Sequence, residues 1–88
     1  MKYKTEDFIQ AVMKRCPKAE VIQESGNLIR ILMYDLRDKL AIGSLIDNTR
    51  NFRIVKISDY PYRLSKQVPV SVYRVKKLRI TKKNYKKK

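Results

Sequence analysis

The hydrophobic positions fall into two rhythms along the chain. Phe8, Ile9, Val12, Met13 and Cys16 recur at i, i+1, i+4, i+5 and i+8, the spacing of one apolar helix face. Thr5 stands where an N-cap is wanted, and Glu6 and Asp7 occupy a first turn that favours carboxylates. Lys14 and Arg15 load the last turn and Pro17 stops it. The spacing predicts a helix over residues 5–16.

Beyond Pro17 the rhythm changes to that of strands. "AEVIQES" is a short strand candidate, and Gly26-Asn27 is a turn signal. "LIRILMY" (28–34) carries Ile29, Ile31 and Met33 on one parity and Leu28, Leu32 and Tyr34 on the other. That pattern predicts a central strand covered on both faces, with Tyr34 in the core. "DLRD" (35–38) reads as a turn, and "KLAIGSLI" (39–46) as a further strand, with Gly43 marking a bulge or a close approach. "DNTRN" (47–51) reads as another turn.

"FRIVKIS" (52–58) is the next strand, and its apolar parity slips between Ile54 and Val55, as at a bulge or under two-sided burial. "DYPYRLSKQVP" (59–69) holds two prolines and reads as an exposed loop. "VSVYRVKKLRI" (70–80) puts Val70, Val72, Leu78 and Ile80 on one parity and Tyr73, Val75, Lys77 and Arg79 on the other. It is expected as one long edge strand, or as two short ones broken near 74–77; a helix is the weaker alternative, because valines dominate its first half. "TKKNYKKK" (81–88) has too little to bury and is expected as a flexible basic tail.

Every connection before Asp59 is short, which favours sequential antiparallel neighbours. The expected fold is α+β: one N-terminal helix packed on an antiparallel sheet of four to five strands. It forms a single domain over residues 1–80, followed by the tail at 81–88.

Composition adds function to this outline. The chain has 88 residues, 43% of them hydrophobic, enough for one core and too few for two. Its single cysteine, Cys16, forms no internal disulfide, as expected in a reducing compartment. No apolar run approaches the roughly 18 residues that span a bilayer. "MKYKTEDFIQ" places two acids where a signal peptide would be apolar. The expectation is a soluble cytoplasmic protein that does not bind membranes.

Charge changes the picture most. There are 22 Lys and Arg against 8 Asp and Glu, net +14, beyond the magnitude of about 2–8 that keeps a small domain soluble. Residues 1–44 carry eight bases and six acids, net +2, whereas residues 45–88 carry fourteen bases and two acids, net +12. One-signed charge concentrated in one half points to a polyanionic partner.

The residue types argue against catalysis. Without histidine there is no triad, no His-metal site and no imidazole base. Cys16 lies on the apolar helix face as core filler. Asp35 and Asp38 belong to turn chemistry, and two glycines, Gly26 and Gly43, cannot build a phosphate loop. No catalytic residue, metal or cofactor is therefore expected. A small nuclease working through Arg, Lys and Tyr is the weakest of the three function classes.

The binding candidates are bases interleaved with aromatics: Arg50, Arg53 and Lys56 around the third strand, and Tyr60, Tyr62 and Arg63 in the proline loop. Tyr73, Arg74, Lys76, Lys77 and Arg79 follow in the last strand, then Lys82 and Lys83 in the tail. Cations neutralise phosphates and release counterions, and tyrosine rings offer stacking faces to unpaired bases. If the strands at 52–58 and 70–80 are neighbours, Arg53 joins Tyr73, Lys77 and Arg79 on one basic, aromatic-bearing face. Tyr73, Tyr60 and Tyr62 can equally pack onto the domain itself.

Fourteen lysines against eight arginines suit phosphate contact better than bidentate base reading. The expected function is a non-enzymatic nucleic-acid-binding protein, for DNA or RNA, with low sequence specificity. The alternative is a protein-interaction module, an inhibitor or accessory subunit. It would dock its basic face on an acidic or nucleic-acid-binding surface of a larger protein or ribonucleoprotein machine.

Overall fold

The computed structural model describes residues 4–60 and 68–78. Its elements run α1 (Thr5–Arg15), β1 (Glu20–Ser25), β2 (Leu28–Met33), α2 (Leu36–Asn48), β3 (Phe52–Asp59) and β4 (Ser71–Lys77). The fold is α+β, with an N-terminal helix and a four-stranded sheet in the order β1-β2-β4-β3, every paired neighbour antiparallel.

The first helix follows the sequence closely. Lys4 rather than Thr5 takes the cap position, without a side-chain bond, and the Cys16 N–H closes the far end on the Val12 carbonyl. Phe8, Val12 and Cys16 are fully buried.

The largest correction falls on residues 39–46, which form a helix and not a strand. Ile42, Leu45 and Ile46 are buried on one helical face while Leu40 is 81% exposed, a split that strand alternation would not give to Leu40 and Ile42. The expected "DLRD" turn is the start of this helix. Asp35 caps it by accepting a hydrogen bond from the Arg37 N–H at 2.9 Å. Thr49 ends it, its N–H and hydroxyl both donating to the Ile46 carbonyl. Gly43 marks neither bulge nor close approach, since a Cβ there would meet nothing within 4 Å.

Topology explains why a helix is needed there. β2 and β3 both run antiparallel to β4 and are therefore parallel to each other. Parallel strands require a crossover connection, for which a helix is the usual solution. The expected chain of short hairpins holds only for β1-β2; β3 and β4 also pair antiparallel, but across the longer connection at residues 60–70. β4 is accordingly an interior strand, continuous over Ser71–Lys77, and not an edge. The slip in β3 is a register shift between Ile54 and Lys56, at the expected place.

Both helices cover the same face of the sheet. Against them lie Ile29, Ile31 and Met33 of β2, Phe52 of β3, and Tyr73 and Val75 of β4. Phe8 and Phe52 stack with ring centroids 4.1 Å apart and planes 12° from parallel. Among the described residues β2 is covered on this side only; Leu28, Leu32 and Tyr34 are half-buried and outside the core cluster. Burial also pushes the Cys16 thiol up to about 11, with the Asp38 carboxylate adding to the effect, so the side chain is a neutral core filler.

The second face of the sheet has no covering layer among the described residues. The tail at 81–88, Arg79 and Ile80, and residues 61–67 of the proline loop lie outside those residues. The ends of that loop are pinned, by Tyr60 N–H to Val70 O at 2.9 Å and by Val70 N–H to Met33 O at 2.8 Å.

Candidate nucleic-acid interface

Alternation along each strand decides what reaches the uncovered face. Ile29 and Ile31 are buried, so Arg30 between them points away from the core; Tyr73 and Val75 are buried, so Arg74 and Lys76 do likewise. Phe52 is buried and Arg53 is exposed. After the register shift at Ile54/Lys56, Lys56 lies opposite Arg74 and is exposed.

Pairing then brings these cations side by side. Arg30 of β2 is in register with Arg74 of β4, and Arg74 with Lys56 of β3, making one row across three strands. In the next row Lys76 faces Arg53. Directly opposed side chains have Cβ atoms about 5 Å apart, and like charges at that distance destabilise a sheet. Rows two residues apart are separated by about 7 Å along the strand. Five cations thus share a compact patch through three like-charge register pairs.

One carboxylate intrudes. Glu24 sits where the β1 register shifts between Gln23 and Ser25. Its Oε1 accepts from Arg74 Nη2 at 3.0 Å and Nε at 3.3 Å, and its Oε2 accepts from Arg30 Nη2. The hydrogen bond from Arg30 foremost, with Arg74 adding, holds the Glu24 carboxyl below its ordinary range. Arg53, Lys56 and Lys76 make no ion pair with a described residue.

The remainder of the face is aliphatic at its centre, with Glu20, Ser25 and Ser58 on the same parity, opposite Leu32, Leu28 and Val72. Leu28, Leu32 and Val72 are half-buried, and Ile22 and Val55 are exposed. No aromatic side chain of the four strands alternates onto it, and Tyr34 at its margin donates its hydroxyl to Glu20.

The predicted site residues therefore separate. Arg53, Lys56, Arg74 and Lys76 come together on the open face. Tyr73 does not join them: it is 6% exposed in the core, because the interior strand β4 turns the Tyr73 parity toward the helices. Lys77 shares that parity, opposite Phe52, and is half-buried. The expected grouping of Arg53 with Tyr73 and Lys77 is thus replaced by one built on the opposite parity of β4, while its fourth member, Arg79, lies outside the described residues. Arg50 is exposed in the connection before β3.

Tyr60 is 43% exposed at the far end of β3. There it lines a cleft of about 620 Å³ with Tyr34, Asp35, Leu36, Lys39, Asp59 and Val70. In that cleft Asp59 accepts from the Ser71 hydroxyl at 2.7 Å and from Lys39 at 3.0 Å, contacts that hold its carboxyl below the usual range. Tyr62, Arg63, Arg79, Lys82 and Lys83 lie outside the described residues.

Sequence reasoning missed Arg30 and Glu24. The signal for Arg30 was a lone cation in an otherwise apolar strand, which marks that parity as uncovered. Glu24 had no such signal, because its role depends on β2 pairing with β4.

Among the described residues, no helix is long and apolar enough to cross a membrane. Compared with protein-family models, curated proteins and solved structures, the chain matches none of them.

Proposed function

We propose that this protein binds nucleic acid through the phosphate backbone, using the open sheet face, without catalysis and with low sequence specificity. The observation that carries the reading is the register of Arg30, Arg74 and Lys56 in one row and Lys76 and Arg53 in the next. Placing like charges opposite one another costs stability, and solubility needs no such alignment. A row of phosphates compensates that cost, and the release of condensed counterions drives the association.

The chemistry of the face favours position over sequence. Lysine and arginine meet phosphate as charges and forks, and base stacking lacks a platform on the strands because Tyr73 is buried. The basic C-terminal residues add further charge to the same partner.

The test is fluorescence anisotropy of the full chain on duplex DNA, single-stranded DNA and RNA over a salt series. Five to eight phosphate contacts give a log–log slope of about −4 to −7 on duplex DNA. A slope near zero, or no complex at low salt, overturns the reading.

A second reading draws on a different observation. Leu36 and Leu40, one turn apart on α2, are 66% and 81% exposed, a feature that phosphate binding does not use. A protein-interaction module docking on a larger machine would use it, and is the reading left standing if no nucleic acid binds.

A further inference from the structure

Arg30 and Arg74 converge on Glu24 with a geometry suited to more than a carboxylate. Arg74 offers Nε and Nη2 to a single oxygen, and Arg30 offers Nη2 to the other. A phosphodiester presents two non-bridging oxygens to the same donors, and the planar guanidinium fork matches phosphate as well as carboxylate. The two arginines are held in register by neighbouring strands, so the donors stay together whichever anion is present.

Some anion is required there. Two guanidinium groups side by side repel when nothing lies between them. In the free protein the internal carboxylate meets that need without the entropy cost of an associating ligand. Glu24 is also placed to leave: β1 is an edge strand, and the residue sits at its register shift with no Cα partner. Such shifts re-aim side chains.

Resting on the reading of this face as a nucleic-acid interface, we propose that Arg30 and Arg74 form a phosphate site that Glu24 occupies in the free protein and yields on binding. A phosphate arriving alone gains little by displacing an equivalent anion. A phosphate within a polyanion brings neighbours to Lys56, Lys76 and Arg53 at the same time, so the exchange is driven by the whole face. Glu24 thereby discriminates against isolated anions and lowers affinity for short or weakly charged ligands.

The experiment compares the wild-type full chain with Glu24→Gln on a short mixed-sequence duplex DNA by anisotropy over a salt series. Glu24→Gln is expected to bind roughly five- to tenfold more tightly, as one charge-assisted contact is freed. Its salt slope is expected to steepen by about one unit. Adding Arg30→Gln to Glu24→Gln is expected to abolish the gain.

In the wild type, the ¹³Cδ resonance of Glu24 reports the carboxylate directly, even if Glu24→Gln fails to fold. It is expected to move toward the value of a solvated carboxylate as duplex saturates the protein. A folded Glu24→Gln variant with unchanged or weaker affinity, or a Glu24 resonance unmoved at saturation, overturns the proposal while the interface reading stands. Absence of binding by the wild type overturns both.

Discussion

Lys76→Glu separates what the basic face costs from what it does. Lys76 is exposed on β4, opposite Arg53 on one side and Leu28 on the other. With Cβ atoms about 5 Å apart, two like charges in water repel by somewhat under ~1 kcal/mol. Glutamate removes that repulsion and adds an attraction of about 0.2–1 kcal/mol.

The net gain is therefore about 1 kcal/mol, which raises Tm by roughly 4–8 °C in a domain of this size. In about 1 M salt the Debye length falls to about 3 Å and most of the gain disappears. Circular-dichroism melts at low and high salt measure both. On duplex DNA the same variant is expected to bind more than about tenfold more weakly, with a salt slope shallower by one to two units. The two assays thus move in opposite directions. A lower Tm at low salt would show that Lys76 does not face Arg53. Unchanged binding by a folded variant would show that this face is not the site.

Other consequences are as direct. Leu40→Ala is expected to change stability by no more than about 0.5 kcal/mol, whereas Ile42→Ala costs about 2–5 kcal/mol. Equal losses at both positions would restore the strand at 39–46. Gly43→Ala, with open space at its Cβ, is expected to stabilise α2 by about 0.5–1 kcal/mol, measured by urea unfolding. Phe8→Ala removes one of the stacked rings and is expected to cost about 3–5 kcal/mol, a large part of the ~5–15 kcal/mol that holds such a domain; a loss under ~1 kcal/mol would contradict the packing. The Asp59 carboxyl titrates below its unfolded value because the Ser71 hydroxyl, and then Lys39, bond the ionised form. Its contribution is full above the ordinary carboxylate value near pH 4 and is lost as pH falls through the lower folded value. The Tm difference between wild type and Asp59→Asn should shrink over that range, and a pH-independent difference would refute the assignment.

Much of the fold was legible because its rhythms are unambiguous. The apolar face of α1 has only one reading, and Gly26-Asn27 places the β1-β2 turn. Residues 39–46 did not disclose themselves so plainly. Leu40, Ile42 and Ile46 satisfy a period of two, while Ala41, Ile42, Leu45 and Ile46 satisfy the helical spacing. The deciding signals lay outside that window, in the Asp35 cap and in the need to join two parallel strands. β4 carries apolar residues on both parities, so the side facing the helices depended on neighbours drawn from β2 and β3.

The site was legible only as charge. Arg53, Lys56, Arg74 and Lys76 are conspicuous in a basic half, but their alignment is a property of strand pairing. The cluster around Glu24 depends on β1, β2 and β4 together, and no local pattern encodes it.

The most direct test of the phosphate-binding face is a chemical-shift titration of the uniformly ¹⁵N-labelled full chain with a duplex DNA. The expected result is a contiguous set of shifts over Arg30, Arg53, Lys56, Arg74 and Lys76, including the Arg30 and Arg74 Nε resonances, with α1 and α2 unmoved. Shifts confined to residues 79–88, or gathered on the helical side around Leu36 and Leu40, would contradict it.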